Sequence, residues 1–205
     1  MPSLEQIILA VPAILLAISF HELGHGWVAY KLGDPTPKYQ GRLTLNPFAH
    51  LDPLGTLMLV LFRIGWAKPV MINSHYFKNR RQGTLLVSLA GPLANVILGW
   101  FFYNLLRFVM PRLPYTAFSS TLLVFLLVNV EVNLGLAAFN LIPIPPLDGS
   151  HILAGLLPPR MSYRYSQLAP YGPVLLAVLL ISGGARVVVN PIYRVLSQLL
   201  MRLSL

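Results

Sequence analysis

Two histidines and a glutamate stand close together in the stretch SFHELGHGW, Ser19 to Trp27. On a helix His21 and His25 are one turn apart and point to the same side, so both imidazoles can hold one metal ion. Glu22 is adjacent but rotated away from that pair, which places it to take a proton from water activated at the metal. His-Glu-x-x-His is the pattern of a hydrolytic zinc site. The sequence has no cysteine, so a zinc site here must be built from His and carboxylates.

The surroundings of this pattern are those of a membrane. Of 205 residues 56% are hydrophobic and 10% charged, whereas soluble domains carry about a quarter charged residues. Fifteen Lys and Arg against six acids give a formal charge of +9. Most of the basic residues lie between apolar runs, as membrane-flanking residues do, so the charge does not call for a nucleic-acid partner. The apolar run before the motif is preceded by MPSLEQ, without a basic n-region, and reads as a retained first helix rather than a cleaved signal peptide.

Apolar runs set the organisation. Leu4 to about Tyr30 is long enough to cross a bilayer, with His21 ten residues before Lys31, so about 15 Å from the polar end. Residues 31–47 carry turn signals around KYQGRLTL, a run compatible with a strand, and GWAKPVMIN is a second extended candidate. Between them Leu54 to Phe62 is too short to cross and reads as re-entrant. Spans are expected over residues 84–108 and 118–141, with a marginal fourth over 168–181. Prolines forbid one regular helix through IPIPPLDGSHILAGLLPPR, though His151 to Leu157 suits a short one. The tail, with Arg194 and Arg202 among apolar residues at helical spacing, suits the membrane interface. The expected fold is therefore mainly α: one multipass domain over residues 1–205, with a core of about 4–157 and C-terminal helices of about 166–205, a small membrane-associated β element and a re-entrant segment.

Two imidazoles leave a catalytic zinc one protein ligand short, if a position is to remain for water. Glu5, Asp34 and Asp52 sit at interfacial or turn positions, which leaves Glu131 and Asp148. Asp148 follows NLIPIPPL, where prolines break a helix and free backbone groups at depth, an arrangement membranes tolerate where it lines a polar cavity. LDG is also the sequence of an ordinary turn, the weaker reading here. Glu131 is an acid within a span and by default a functional hypothesis. Asn95 is a polar side chain in mid-span, either a donor to substrate backbone or oxyanion, or a hydrogen bond between helices. Asn140, just before the break, is open to the same readings or to capping freed backbone. Asn129, Glu131 and Asn133 alternate, so on a helix they are not expected to share a face, whereas Asn133 and Asn140, seven apart, are. His151 could reach the rim of the metal site, though a supporting place behind the ligands or a solvated one suits it better, and His50 and His75 read as interfacial.

HELGH, GPLAN and FNLIPIPPLDG together resemble the site-2 protease family of intramembrane zinc metalloproteases. With GRLTLNPFAHLDPLGTLMLVLF and GWAKPV, the likeness covers most of residues 19–151. It resembles the compact members, with neither a PDZ insertion nor a regulatory domain. The resemblance implies one Zn²⁺ held by His21, His25 and Asp148, Glu22 as general base, and Asn95 as a residue that steadies substrate. It also implies that a substrate helix unwinds beside an extended segment, for which KYQGRLTLNP, with Gly41, Arg42, Leu43 and Thr44, and GWAKPVMIN are the matching stretches. Glu131 departs from the family, where this position is usually neutral.

The implied activity is endopeptidase cleavage of transmembrane segments of other membrane proteins. The competing reading is a metal-carrying scaffold or transport factor that uses the same residues without hydrolysis. Residues 31–83 carry eight Lys or Arg, so the positive-inside rule places that face, and the site near it, on the cytoplasmic side of the cell membrane, with the N-terminus outside.

Overall fold

The structure, a computed structural model, describes residues 4–55, 58 and 67–204. Its first helix, α1, is Leu4–Lys31. A helical turn, α2, covers Thr36–Tyr39, and long helices follow over Arg80–Val109 (α3) and Ala117–Asn140 (α4). The shorter α5 (Asp148–Leu156), α6 (Pro159–Ser166) and α7 (Gly172–Ile181) lead to α8, Gly184–Arg202.

Three stretches are long and apolar enough to cross a membrane: Ile8–Lys31, Arg80–Arg112 and Ala117–Asn140. They match the first three spans expected from the apolar runs. Their starts are set locally by side chains that satisfy free helix N–H groups. Asn79 accepts from Gln82 N at 3.1 Å, and Thr116 Oγ1 accepts from Ser119 N at 3.1 Å. The marginal fourth span resolves differently. α7 has only ten residues, about 15 Å, and passes the length test only together with its neighbours Pro159–Ser166 and α8, across a 90° bend at Ser182 and Gly183. Gly183 adopts a positive φ of 74° at that bend, where a side chain would be strained.

Helices α1, α3 and α4 pack together. The buried face of α1 carries Ala13, Ala17 and Ala29, small side chains that let backbones approach closely, as helix contacts in membranes require. Larger side chains fill the other side of the bundle, where Leu98 and Phe102 of α3 meet Leu126, Val130 and Leu134 of α4. Leu200 of α8 completes this cluster, with Tyr193 and Leu196 against it, so the tail expected at the interface is docked on the bundle.

Among the described residues the expected β element is not formed. Among the described residues the only pairing outside helices is one antiparallel bridge, Leu51 with Ala67, beside Lys68 N donating to His50 O at 2.8 Å. Pro35 and Pro37 have φ preset for a helical turn, and the chain enters α2 there instead of extending. Beyond it Arg42, 5% exposed, turns inward and donates to the carbonyls of Ala49 and, at 3.4 Å, Lys68. His50 is not interfacial as expected: it is fully buried, and its Nε2 donates to Thr44 O at 2.8 Å. Residues 42–51 and 67–68 are thus joined by one short backbone contact and the reach of Arg42, while Arg42 and His50 also brace residues 42–50 internally. Most of the expected re-entrant run, residues 54–62, lies outside the described residues.

Asp34 ties this loop region to the membrane bundle. It is fully buried just past α1 and accepts from Thr36 N at 2.9 Å and from Asn73 N at 2.6 Å. Replacing it by alanine leaves both donors without their acceptor, so Asp34→Ala is expected to destabilise the fold by about 1–3 kcal/mol. A lowered midpoint of thermal unfolding in detergent, followed by circular dichroism, is the reading. An unchanged midpoint would show that the loop region does not lean on this carboxylate.

Candidate metal centre

His21 and His25 lie on the buried face of α1, 6% and 8% exposed. Each ring is fixed through Nδ1. His25 Nδ1 donates to the carbonyl of Val87 at 2.7 Å, and His21 Nδ1 donates to Asn95 Oδ1 at 2.6 Å. The direction of the second bond follows from the rest of the Asn95 amide. Its Nδ2 donates to Ala17 O at 2.8 Å and to Asn133 Oδ1 at 3.0 Å, which leaves Oδ1 to face the imidazole. With both Nδ1 atoms protonated, both Nε2 atoms present bare lone pairs, the tautomer a metal needs.

Asp148 arrives from the other side. α4 ends at Asn140, the proline-rich segment turns the chain back, and α5 begins at Asp148. Gly149 makes this close turn possible, because a Cβ there would overlap the carbonyl oxygens of Leu141 and Ile142. Asp148 Oδ2 then lies 3.1 Å from His21 Nε2 and 3.2 Å from His25 Nε2, while the two Nε2 atoms are 3.1 Å apart. Asp148 Oδ2 is buried and has no hydrogen-bond partner. Three lone-pair atoms therefore converge with no donor to satisfy the carboxylate, an arrangement that a cation stabilises.

The spacing fits a particular cation. Donors on a tetrahedral zinc at about 2.0–2.1 Å lie about 3.3–3.4 Å from one another, close to the triangle seen here. His21, His25 and Asp148 are the one group of three or more potential ligands found among the described residues. Of the two acids left open by the sequence, Asp148 joins the histidines. Glu131 is exposed on α4, on the side away from buried Asn129 and Asn133.

Glu22 flanks the triangle. Val70 N donates to its Oε2 at 3.0 Å, bringing residues 70–73 alongside α1 near the candidate ligands. Leu43 also approaches here, packed over Gly26, whereas Arg42 and Thr44 spend polar groups inside the loop. Gly41 is exposed at a turn with φ of 65°. Asn140 is half-buried and donates to Leu136 O at 3.1 Å, within its own helix rather than across the break. Asn95, expected as a donor to substrate, is fully buried with both amide hydrogens engaged and its oxygen on His21.

Two residues of the site carry no signal in the motif itself. Asn133, fully buried, links Asn95 to α4 and donates in turn to Asn129 O at 2.9 Å. The four-residue step from Asn129 to Asn133, one helical turn, could have marked this polar line. Gly91 is the other: a Cβ there would overlap His25 Nε2 and come within 2.8 Å of His21 Cε1.

YwhC of Bacillus subtilis (strain 168), named as a candidate zinc metalloprotease, is 42% identical over 174 residues, covering 84% of this chain and 80% of its own. The chain belongs to peptidase family M50. The M50 sequence model matches residues 108–180, which hold α4, the proline break and Asp148. Rip2 of Mycolicibacterium smegmatis, also named as a candidate zinc metalloprotease, is 32% identical over 85% of this chain and 67% of its own. MJ0611 of Methanocaldococcus jannaschii, named likewise, is 31% identical over 74% of this chain and 72% of its own. No solved structure matches the chain. As an M50 member of the site-2 protease type, the chain is a membrane zinc metalloprotease, and its donor set suits that ion.

Partners that orient ligating histidines contribute about 10–100-fold to metal affinity. Asn95→Ala is expected to weaken zinc binding by that factor, measured by competition with a chelator, with the helix content unchanged. Gly91→Ala tests the same site sterically: its methyl group must displace an imidazole, so zinc affinity falls by at least as much. Wild-type affinity in both variants would contradict this account of the site.

Proposed function

We propose that this metalloprotease hydrolyses peptide bonds within transmembrane segments of other membrane proteins, with Glu22 as general base. The observation that carries the reading is the depth of the donor set. His21 and His25 belong to the Ile8–Lys31 span and precede Lys31 by ten and six residues, hence by about 15 and 9 Å along the helix. A scissile bond reaches that depth most directly from a segment that is itself in the bilayer.

Zinc, when bound, polarises the scissile carbonyl and makes water a competent nucleophile near neutral pH. The chain's own residues then handle the proton and the geometry. Glu22 follows His21 by one residue and is rotated by about 100° round the helix, so it borders the triangle without joining it. Val70 N–H holds Oε2 of Glu22, and the carboxylate takes the proton of the attacking water and returns it to the leaving amine. Asn95 acts through His21, keeping Nε2 unprotonated and aimed at the centre. A helical substrate bond is shielded by its own turn, and residues 68–73, outside any helix beside α1, are the segment against which an unwound substrate would pair. The eight Lys and Arg of residues 31–83 support a placement of this end of the bundle on the cytoplasmic side of the cell membrane, with the N-terminus outside.

The test compares wild type and Glu22→Gln, both purified in detergent with zinc content measured, on a panel of single-span substrates. Glu22→Gln is expected to retain zinc and to lose cleavage by about 10²–10⁴-fold, the usual contribution of general acid–base catalysis. Equal cleavage by both proteins would remove Glu22 from the mechanism. Zinc-loaded wild type that cuts soluble peptides but no membrane span would overturn the substrate assignment.

A further inference from the structure

A cavity of about 440 Å³ lies outside the metal centre, where the start of α3 meets α5 and α6. Its polar lining consists of Arg80, Arg81, His151, Ser162, Tyr163 and Ser166, together with Thr84, and no acidic side chain borders it. The volume falls in the range of about 300–1,000 Å³ typical of small-molecule sites. Positive charge and hydroxyl donors facing one space, without a carboxylate, describe the complement of an anion with several acceptor oxygens.

The guanidinium of Arg81 is already committed: Nε donates to Gly155 O at 2.8 Å and NH2 to Leu157 O, at the end of α5. Arg80 is exposed and donates to His75 Nδ1 at 2.9 Å, so it reaches a neutral acceptor and keeps its charge uncompensated there. Tyr163 is 68% exposed, its hydroxyl accessible to a ligand. The depth of the cavity selects among anions. Arg80 and Arg81 open the Arg80–Arg112 span, so the cavity sits at the membrane end of that helix, level with lipid headgroups.

We propose that this cavity binds the phosphate of an anionic phospholipid headgroup, with Arg80 supplying the charge and Tyr163 a hydroxyl donor. A net negative headgroup is favoured over a zwitterionic one, because no acid in the cavity offsets the arginines. The site is independent of peptide hydrolysis. Arg81 nevertheless joins it to the metal centre, since the helix that Arg81 holds at one end carries Asp148 at the other.

The purified full chain, stripped of lipid in detergent, is titrated separately with short-chain phosphatidylglycerol, short-chain phosphatidylcholine and inorganic phosphate, and complexes are counted by intact-mass measurement. Wild type is expected to bind phosphatidylglycerol at least several-fold more tightly than phosphatidylcholine and to show no comparable affinity for inorganic phosphate. Arg80→Gln should abolish the preference and Tyr163→Phe reduce it, while Arg186→Gln, in α8 and outside the cavity, leaves it intact. Circular dichroism confirms that each variant is folded. Equal affinity for the two lipids, or a preference that survives in both folded cavity variants, overturns the proposal. Inorganic phosphate bound as tightly as the lipid, and lost in Arg80→Gln, overturns the lipid assignment in favour of a soluble phosphate ligand.

Discussion

Three lone-pair atoms held within 3.1–3.2 Å of one another repel unless a cation lies between them. Much of the described structure can be read as the means of imposing that arrangement. Both imidazoles are held through Nδ1 by acceptors on α3, one a backbone carbonyl and one a side-chain amide. The amide is itself fixed from α1 and α4, so the three membrane helices meet in a single polar line from Asn129 through Asn133 and Asn95 to His21. In a bilayer, where water does not compete, such a line is satisfied within the protein or carries a penalty for every missing bond.

Packing serves the same end. Small residues on α1 allow close approach of the helices, and Gly91 leaves the space that the imidazoles fill. The proline-rich break after Asn140 and the absence of a side chain at Gly149 turn the chain back sharply enough for Asp148 to face α1. Asp34, just past α1, and Glu22, within it, together fasten the segment 70–73 along α1 by accepting from Asn73 N and Val70 N.

The parts legible in the sequence were those governed by local rules. Helical periodicity placed His21 and His25 on one side, and apolar run length gave three spans, with ends shifted only slightly by the caps at Asn79 and Thr116. Asp148 remained one of two candidates by residue type, and resemblance singled it out before the geometry did. What could not be read depended on partners distant in sequence. Asn95 looked like a donor to substrate because the need of His21 for an acceptor is invisible without the fold. The strand expected around KYQGRLTL gave way to a turn at Pro35 and Pro37 and to the inward reach of Arg42. His50 was placed at the interface on polarity alone, and is buried with its Nε2 on the Thr44 carbonyl. The fourth span stays marginal, as its length suggested: it reaches spanning length only when Pro159–Ile181 is taken together with Gly184–Arg202 across the bend at Gly183.

The central claim, that one zinc joins α1 to the start of α5, is tested most directly by X-ray absorption at the zinc edge on the purified, zinc-loaded chain. The account predicts a four-coordinate ion with two imidazole nitrogens and oxygen donors at about 2.0–2.2 Å. An all-oxygen environment without imidazole scattering, or one with a single imidazole, would contradict it.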